Sequence, residues 1–153
     1  MNKTLIIIIL IIVAVIVFNG FKLYLQNVKT PQLGHENGHL TAMPNKPNAI
    51  SSQSMDPTKL VEPLEFKGNI IESREKLKVV IYNLGYVELI EEEEDYLYFI
   101  FKSKKLKFKD DVEFYFDQDK QLIHIRSSSR AGYSDMGVNL KRYNLIKEKY
   151  EQL

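Results

Sequence analysis

The run "LIIIILIIVAVIVF", Leu5 to Phe18, contains no polar side-chain atom, and no other stretch constrains the folding of this chain so tightly. A helix that is apolar on every side has no wet face to offer, so it belongs in a protein interior or a bilayer. At about 1.5 Å per residue the run covers only about 21 Å, against a hydrocarbon core of roughly 30 Å. Continuing the helix to Leu25 closes that gap. It also brings Lys22 and Tyr24 to the far interface, where a lysine stem snorkels and a tyrosine ring sits among headgroups. A cleaved signal peptide is the rival reading, because one lysine ahead of an apolar core suits that description too. Around Gly20, however, the chain runs Val17, Phe18, Asn19, Phe21, without the paired small residues that a signal peptidase reads. The expectation is an uncleaved anchor over residues 1–25. That makes a single-pass protein of the cell membrane, with the N-terminus inside and the rest on the extracytoplasmic side.

The 153 residues leave room for one further domain of ordinary size. With 21 basic and 20 acidic residues the formal charge is +1, so no global field favours nucleic acid, and none is expected as a partner. The absence of cysteine removes disulfides, thiolate metal sites and cysteine nucleophiles together.

Residues 26–42 read as a linker. Within it "HENGH", His35 to His39, formally matches the H-E-x-x-H zinc pattern, which needs both imidazoles on one helix face. Pro31, Gly34 and Gly38 surround the motif and no helical period frames it, so it reads as a polar loop, and no metal or cofactor is expected. The stretch "MPNKPNAISSQS", Met43 to Ser54, is pre-ordered by its prolines without helix or sheet. It either lies along the domain surface with Ser51 and Ser52 aimed at what it covers, or is a plain linker.

From Asn69 the pattern becomes regular. Asn69 is placed to cap a helix, Ile70, Leu77, Ile81 and Leu84 recur at helical spacing, and Gly85 suits its end. Strands are predicted at Tyr86–Ile90, Tyr96–Phe101, Lys105–Lys109, Val112–Phe116 and Leu122–Arg126, with an acidic turn at Glu91–Asp95 and another at Asp117–Lys120. A last helix covers Asn139–Tyr150, with Asn139 as its cap. Short connections imply antiparallel pairing. The predicted fold class is therefore α+β: a twisted antiparallel sheet of four to five strands with two helices on one face, over residues 43–153, preceded by a single transmembrane helix. The lysines from Lys102 to Lys109 and the acidic tip read as solvated faces.

The polar residues concentrate in two stretches. "KDDVEF" puts Asp111 and Glu113 on one strand face and Asp110 on the other, and a hairpin partner ending in Arg126 and Arg130 would carry guanidinium groups toward these carboxylates. Asp135 and Arg142 form a second possible pair. The network either pins the irregular segment to the sheet and last helix, or forms a polar pocket.

The stretches "MPNKPNAISSQ", "FKDDVEFYF" and "HIRSSSRAGYSDMGVNLKR", in this order, resemble the domain-of-unknown-function 1499 family of bacterial and plant proteins, from about Leu33 to the C-terminus. The resemblance implies a shared fold and surface and no established activity. It picks out Pro44, Pro47, Asn48, Ser51, Ser52, Asp110, Asp111, Glu113, Arg126, Ser127, Ser129, Arg130, Gly132, Ser134, Asp135, Gly137, Asn139 and Arg142. Where the family usually has cysteines in the proline run, this chain has Met43 and Ala49, so no thiol mechanism applies.

Three functions stay open. One is a membrane-anchored binding or scaffold module holding a small anionic ligand with Ser51, Ser52, Asp110, Asp111, Glu113, Arg126, Ser127, Ser129, Arg130, Asp135, Asn139 and Arg142. The second is a hydrolase with Asp110, Asp111 or Glu113 as base or metal ligand and His124 as a possible acid; no nucleophile with an adjacent base is evident. The third is a structural partner of another envelope protein through exposed Tyr96, Tyr98 and Tyr133.

Overall fold

The computed structural model describes residues 2–153. It opens with helix α1 (Lys3–Val28), whose N-cap Asn2 accepts the Thr4 amide at 3.2 Å. No residue of α1 is buried, and the helix is long and apolar enough to cross a membrane, as a single-pass anchor or a signal sequence would be. Asn19 donates its side-chain amide to the Val15 carbonyl at 2.8 Å, which satisfies that donor within the helix. The helix runs beyond the predicted end at Leu25, and its last turn is fastened to the domain. Asn27 donates to the Lys107 carbonyl at 3.1 Å and accepts the Lys109 amide at 2.7 Å, and Gln26 accepts the Gly132 amide at 3.1 Å.

The supposed polar loop at "HENGH" is a small hairpin of β1 (His35–Glu36) and β2 (His39–Leu40). Asn37 and Gly38 both take positive φ, 51° and 81°, as a tight two-residue turn requires. The main sheet has six strands, and its continuous path runs β3 (Ala49–Ser51), β8 (Leu122–Ser129), β7 (Lys109–Asp117), β6 (Tyr96–Lys102), β5 (Val87–Glu92). The short β4 (Leu64–Glu65) also pairs with β8, and all of these pairings are antiparallel.

Helices α2 (Ile70–Asn83) and α3 (Val138–Glu151) cover one face of this sheet. Leu77 and Ile81 of α2 and Ile146 and Tyr150 of α3 meet Leu97, Phe99, Phe114, Phe116, Ile123 and Ile125 in one cluster. Each such side chain stabilises the fold by about 1.5–3 kcal/mol when fully buried, so this face holds the domain together. The α+β class and the two helices on one face are as the alternation and helical spacing predict.

Three local expectations fail for physical reasons. The strand predicted at Lys105–Lys109 is instead the turn between β6 and β7: Ser103 donates its amide to the Phe108 carbonyl at 2.8 Å, and Lys107 sits at φ 54°. None of residues 105–109 joins either core cluster, and Leu106 is 71 % exposed. Asn139 is not a cap: α3 is preceded by Gly137 at φ 77°, and Asn139 is buried one residue inside the helix. The proline-rich run does enter the sheet, since Ala49–Ser51 pairs with Ser128–Arg126 along the otherwise open edge of β8.

Candidate functional site

Strand alternation divides the predicted constellation between the two faces of the sheet. Asp111, Glu113, Arg126 and Ser128 point away from the helices, with Arg130 just beyond β8, while Asp110, Ser127 and Ser129 point toward α3. The single convergence expected from sequence is thus two clusters, back to back.

On the face away from the helices, register places Glu113 opposite Arg126, and Arg126 Nη1 donates to Glu113 Oε2 at 2.7 Å. The other Glu113 oxygen accepts the Tyr96 hydroxyl at 2.8 Å and the Gly34 amide at 3.1 Å. Glu113 is fully buried. Burial pushes its carboxyl above the usual range, against the opposing pull of Arg126, Tyr96 and Gly34. Beside it, Arg130 grips Asp111 with Nε at 3.0 and 2.9 Å and Nη2 at 2.7 Å, and the Tyr98 hydroxyl donates to Asp111 Oδ1 at 2.5 Å. Burial, then the adjacent carboxylates, push both phenols well above their ordinary value, so both keep their protons and donate to the carboxylates, while the Tyr98 oxygen also accepts from Arg130 Nη2 at 2.9 Å. Tyr96 and Tyr98 are therefore buried, not part of an exposed aromatic patch; Tyr133 alone of the three is exposed, at 73 %.

A cleft of about 640 Å³ opens next to these pairs. One wall is Gln26, Lys29, Thr30, Pro31 and Gln32, the end of α1 and the residues just after it, with Pro44 nearby; the other is Asp111, Arg126, Ser128, Ser129 and Arg130. Arg126 is 6 % exposed, and its Nε is buried with no hydrogen-bond partner among the described residues. Ser128 lies on the same face and lines the cleft. Lys29, Arg126 and Arg130 stand against Asp111 and Glu113, leaving one positive charge in surplus. The C-terminal pole of α1 also lies on this wall, and its roughly half negative charge reduces that surplus without cancelling it. Such a set of donors suits an oxyanion.

The cluster beside α3 is closed. Arg142 donates to Asp110 at 2.5 Å, to Asn139 Oδ1 at 2.7 Å and to the Ser127 hydroxyl at 3.0 Å, with its guanidinium 4.7 Å above the Phe101 ring. Asn139 donates to the Asn48 carbonyl, the Ser129 hydroxyl and Asp135 Oδ2 at 2.9, 3.1 and 2.8 Å. The expected Asp135–Arg142 pair does not form, because Asp135 accepts the Gly137 and Asn139 amides at the start of α3, the capping work assigned to Asn139 from sequence. This network locks the loop after β8 onto α3 and the proline run.

Ser51 and Ser52 belong to neither cluster. The Ser51 hydroxyl accepts the Gln53 amide at 3.1 Å, and Ser52 Oγ accepts the Ile125 amide at 2.9 Å and lies 3.2 Å from His124 Nδ1. His124 Nε2 is 3.9 Å from Asp117 Oδ2, which lines up a serine, a histidine and an aspartate that no sequence pattern reveals. The arrangement is not a working triad: 3.9 Å is no hydrogen bond, and Asp117 is committed to Lys120 at 2.7 Å. Burial lowers the His124 pKa below its ordinary value of 6.5. Among the described residues, His35, Glu93 and Asp95 are a group that could hold a metal ion, offering donor atoms within 4.8 Å of one another; His39, the second histidine of the zinc-like pattern, pairs across the hairpin from Glu36 instead.

An apolar leading helix, followed by a two-layer α+β domain with an arginine-lined cleft at their junction, defines the class of protein. The chain belongs to DUF1499, a family of proteins of unknown function, whose sequence model matches residues 39–149. No curated protein and no solved structure matches the chain.

Proposed function

We propose that this is a single-pass membrane protein whose extracytoplasmic domain binds a small anionic group in the cleft between the end of α1 and the outer face of β7 and β8. The carrying observation is Arg126: a buried guanidinium with an unpartnered Nε on the cleft wall, beside the Ser128 hydroxyl and the charge of Lys29. An orphaned buried donor costs about 1–3 kcal/mol, which a bound oxyanion recovers. For the anchor, the length and composition of α1 are the support. The hydrolase reading has less support, because Asp110, Asp111 and Glu113 each end in an arginine pair and offer no free general base.

The test is thermal melting of the full chain in neutral detergent, titrated with inorganic phosphate against chloride at constant ionic strength. Saturating phosphate is expected to raise the melting temperature, by the equivalent of about 2.7 kcal/mol at a hundredfold excess over Kd. A melting temperature independent of phosphate would overturn the anion reading.

A further inference from the structure

Five of the residues that line the cleft, Gln26, Lys29, Thr30, Pro31 and Gln32, are the last turn of the apolar helix and the residues directly after it. With α1 as the proposed anchor, this sets the depth of the cleft as well as its chemistry. From Leu5 to Leu25 a helix spans about 31 Å, which fills a hydrocarbon core of roughly 30 Å. Gln26 then sits at the edge of that core, and the few residues beyond it lie within the headgroup layer, which is about 5–8 Å thick on each side. The hydrogen bonds between Gln26 and Gly132, and between Asn27 and both Lys107 and Lys109, hold the domain against the helix end, so the wall carrying Arg126, Arg130 and Ser128 is kept at the same depth.

Resting on the anion-binding reading above, we infer that the group seated in the cleft is the phosphodiester of an anionic membrane lipid. At headgroup depth the lipid phosphates are the most concentrated oxyanions available. The unspent Nε of Arg126, the Ser128 hydroxyl and the Lys29 ammonium are all donors, and a phosphodiester is acceptor-only. The surplus positive charge of the cleft selects against a zwitterionic lipid, whose choline would be carried in beside the phosphate, and favours a headgroup with no cation of its own. The site thereby ties the fold of the domain to the lipid around its own anchor.

The full chain is to be melted in nanodiscs of phosphatidylcholine alone and of phosphatidylcholine mixed with phosphatidylglycerol, and separately in detergent with inorganic phosphate. Phosphatidylglycerol is expected to raise the melting temperature by about 3 °C or more over phosphatidylcholine. Ser128→Ala and Lys29→Gln are each expected to abolish that increment, read as the difference between the two discs for the same variant, so that any change in its basal melting cancels. An increment that survives Ser128→Ala would be diffuse attraction of a charged surface and would overturn the inference. Equal melting in both discs, with phosphate still stabilising in detergent, would overturn the lipid assignment and leave the anion site standing. No response in either arm would bring down both.

Discussion

Arg130 holds Asp111 through two of its nitrogens, and both side chains are only 3 % exposed, so the pair is worth most through what its loss leaves behind. Arg130→Ala orphans a buried carboxylate and also removes the 2.9 Å bond from Arg130 to the Tyr98 hydroxyl. The expected loss is about 3 kcal/mol, measured by denaturant or thermal unfolding of the domain. Adding Asp111→Ala to that variant is expected to restore part of the loss, because the orphan is gone; a double variant as unstable as the sum of its singles would mean the pair is not coupled. Period-two alternation is enough to separate Asp110 from Asp111 and Glu113 in the sequence and to send Arg126 and Arg130 toward the latter two. The same logic fails for Asp135 and Arg142, which lie on a loop and a helix, where no simple period relates side-chain directions.

At the scale of an element, α2 shows how local the determinants of a helix can be. Asn69 accepts the Glu72 amide at 2.9 Å, and Glu72 reaches back to the Asn69 amide at 3.3 Å, a capping box readable from the four residues alone. Gly68 completes it: φ there is +100°, and a Cβ would sit 1.8 Å from Glu72 Oε2. Gly68→Ala is therefore expected to displace the glutamate and strain the backbone, costing about 1–2 kcal/mol of unfolding free energy. Unchanged stability would show that the box contributes nothing. By contrast, Lys105–Lys109 alternates as cleanly as any strand yet is largely a turn, because alternation specifies a strand only when a core waits on one side. The hairpin at His35–Leu40 escapes sequence reading although Asn37-Gly38 is a strong turn signal, since its flanking residues are too few and too polar to read as strands.

For the whole molecule, the decisive feature is that the sheet is covered on both sides. The helices bury one face, while Leu33 and Leu40 pack over Tyr96, Tyr98 and Ile100 on the other, and Gly34 donates to Glu113. The stretch expected to be a tether is thus a lid over the arginine pairs, and the family match begins inside it, at residue 39. A fragment of residues 43–153 is expected to melt lower than one of residues 31–153, by an amount equivalent to about 3 kcal/mol for two leucines, and to bind a hydrophobic dye. Equal melting of the two fragments would make the hairpin a passenger.

The membrane-length helix, the α+β class, the capping of α2 and the division of carboxylates between strand faces were determined by the sequence itself. Each rests on interactions between residues a few positions apart, where periodicity and side-chain chemistry decide the outcome. Which arginine meets which carboxylate, the burial of Tyr96 and Tyr98, and the cleft at the foot of α1 were decided only by tertiary structure. They depend on Gln26, Gly34 and Leu40 being brought against Gly132, Glu113 and Tyr98 from far along the chain. No local pattern encodes that meeting, because it arises from register and from packing two sheet faces at once.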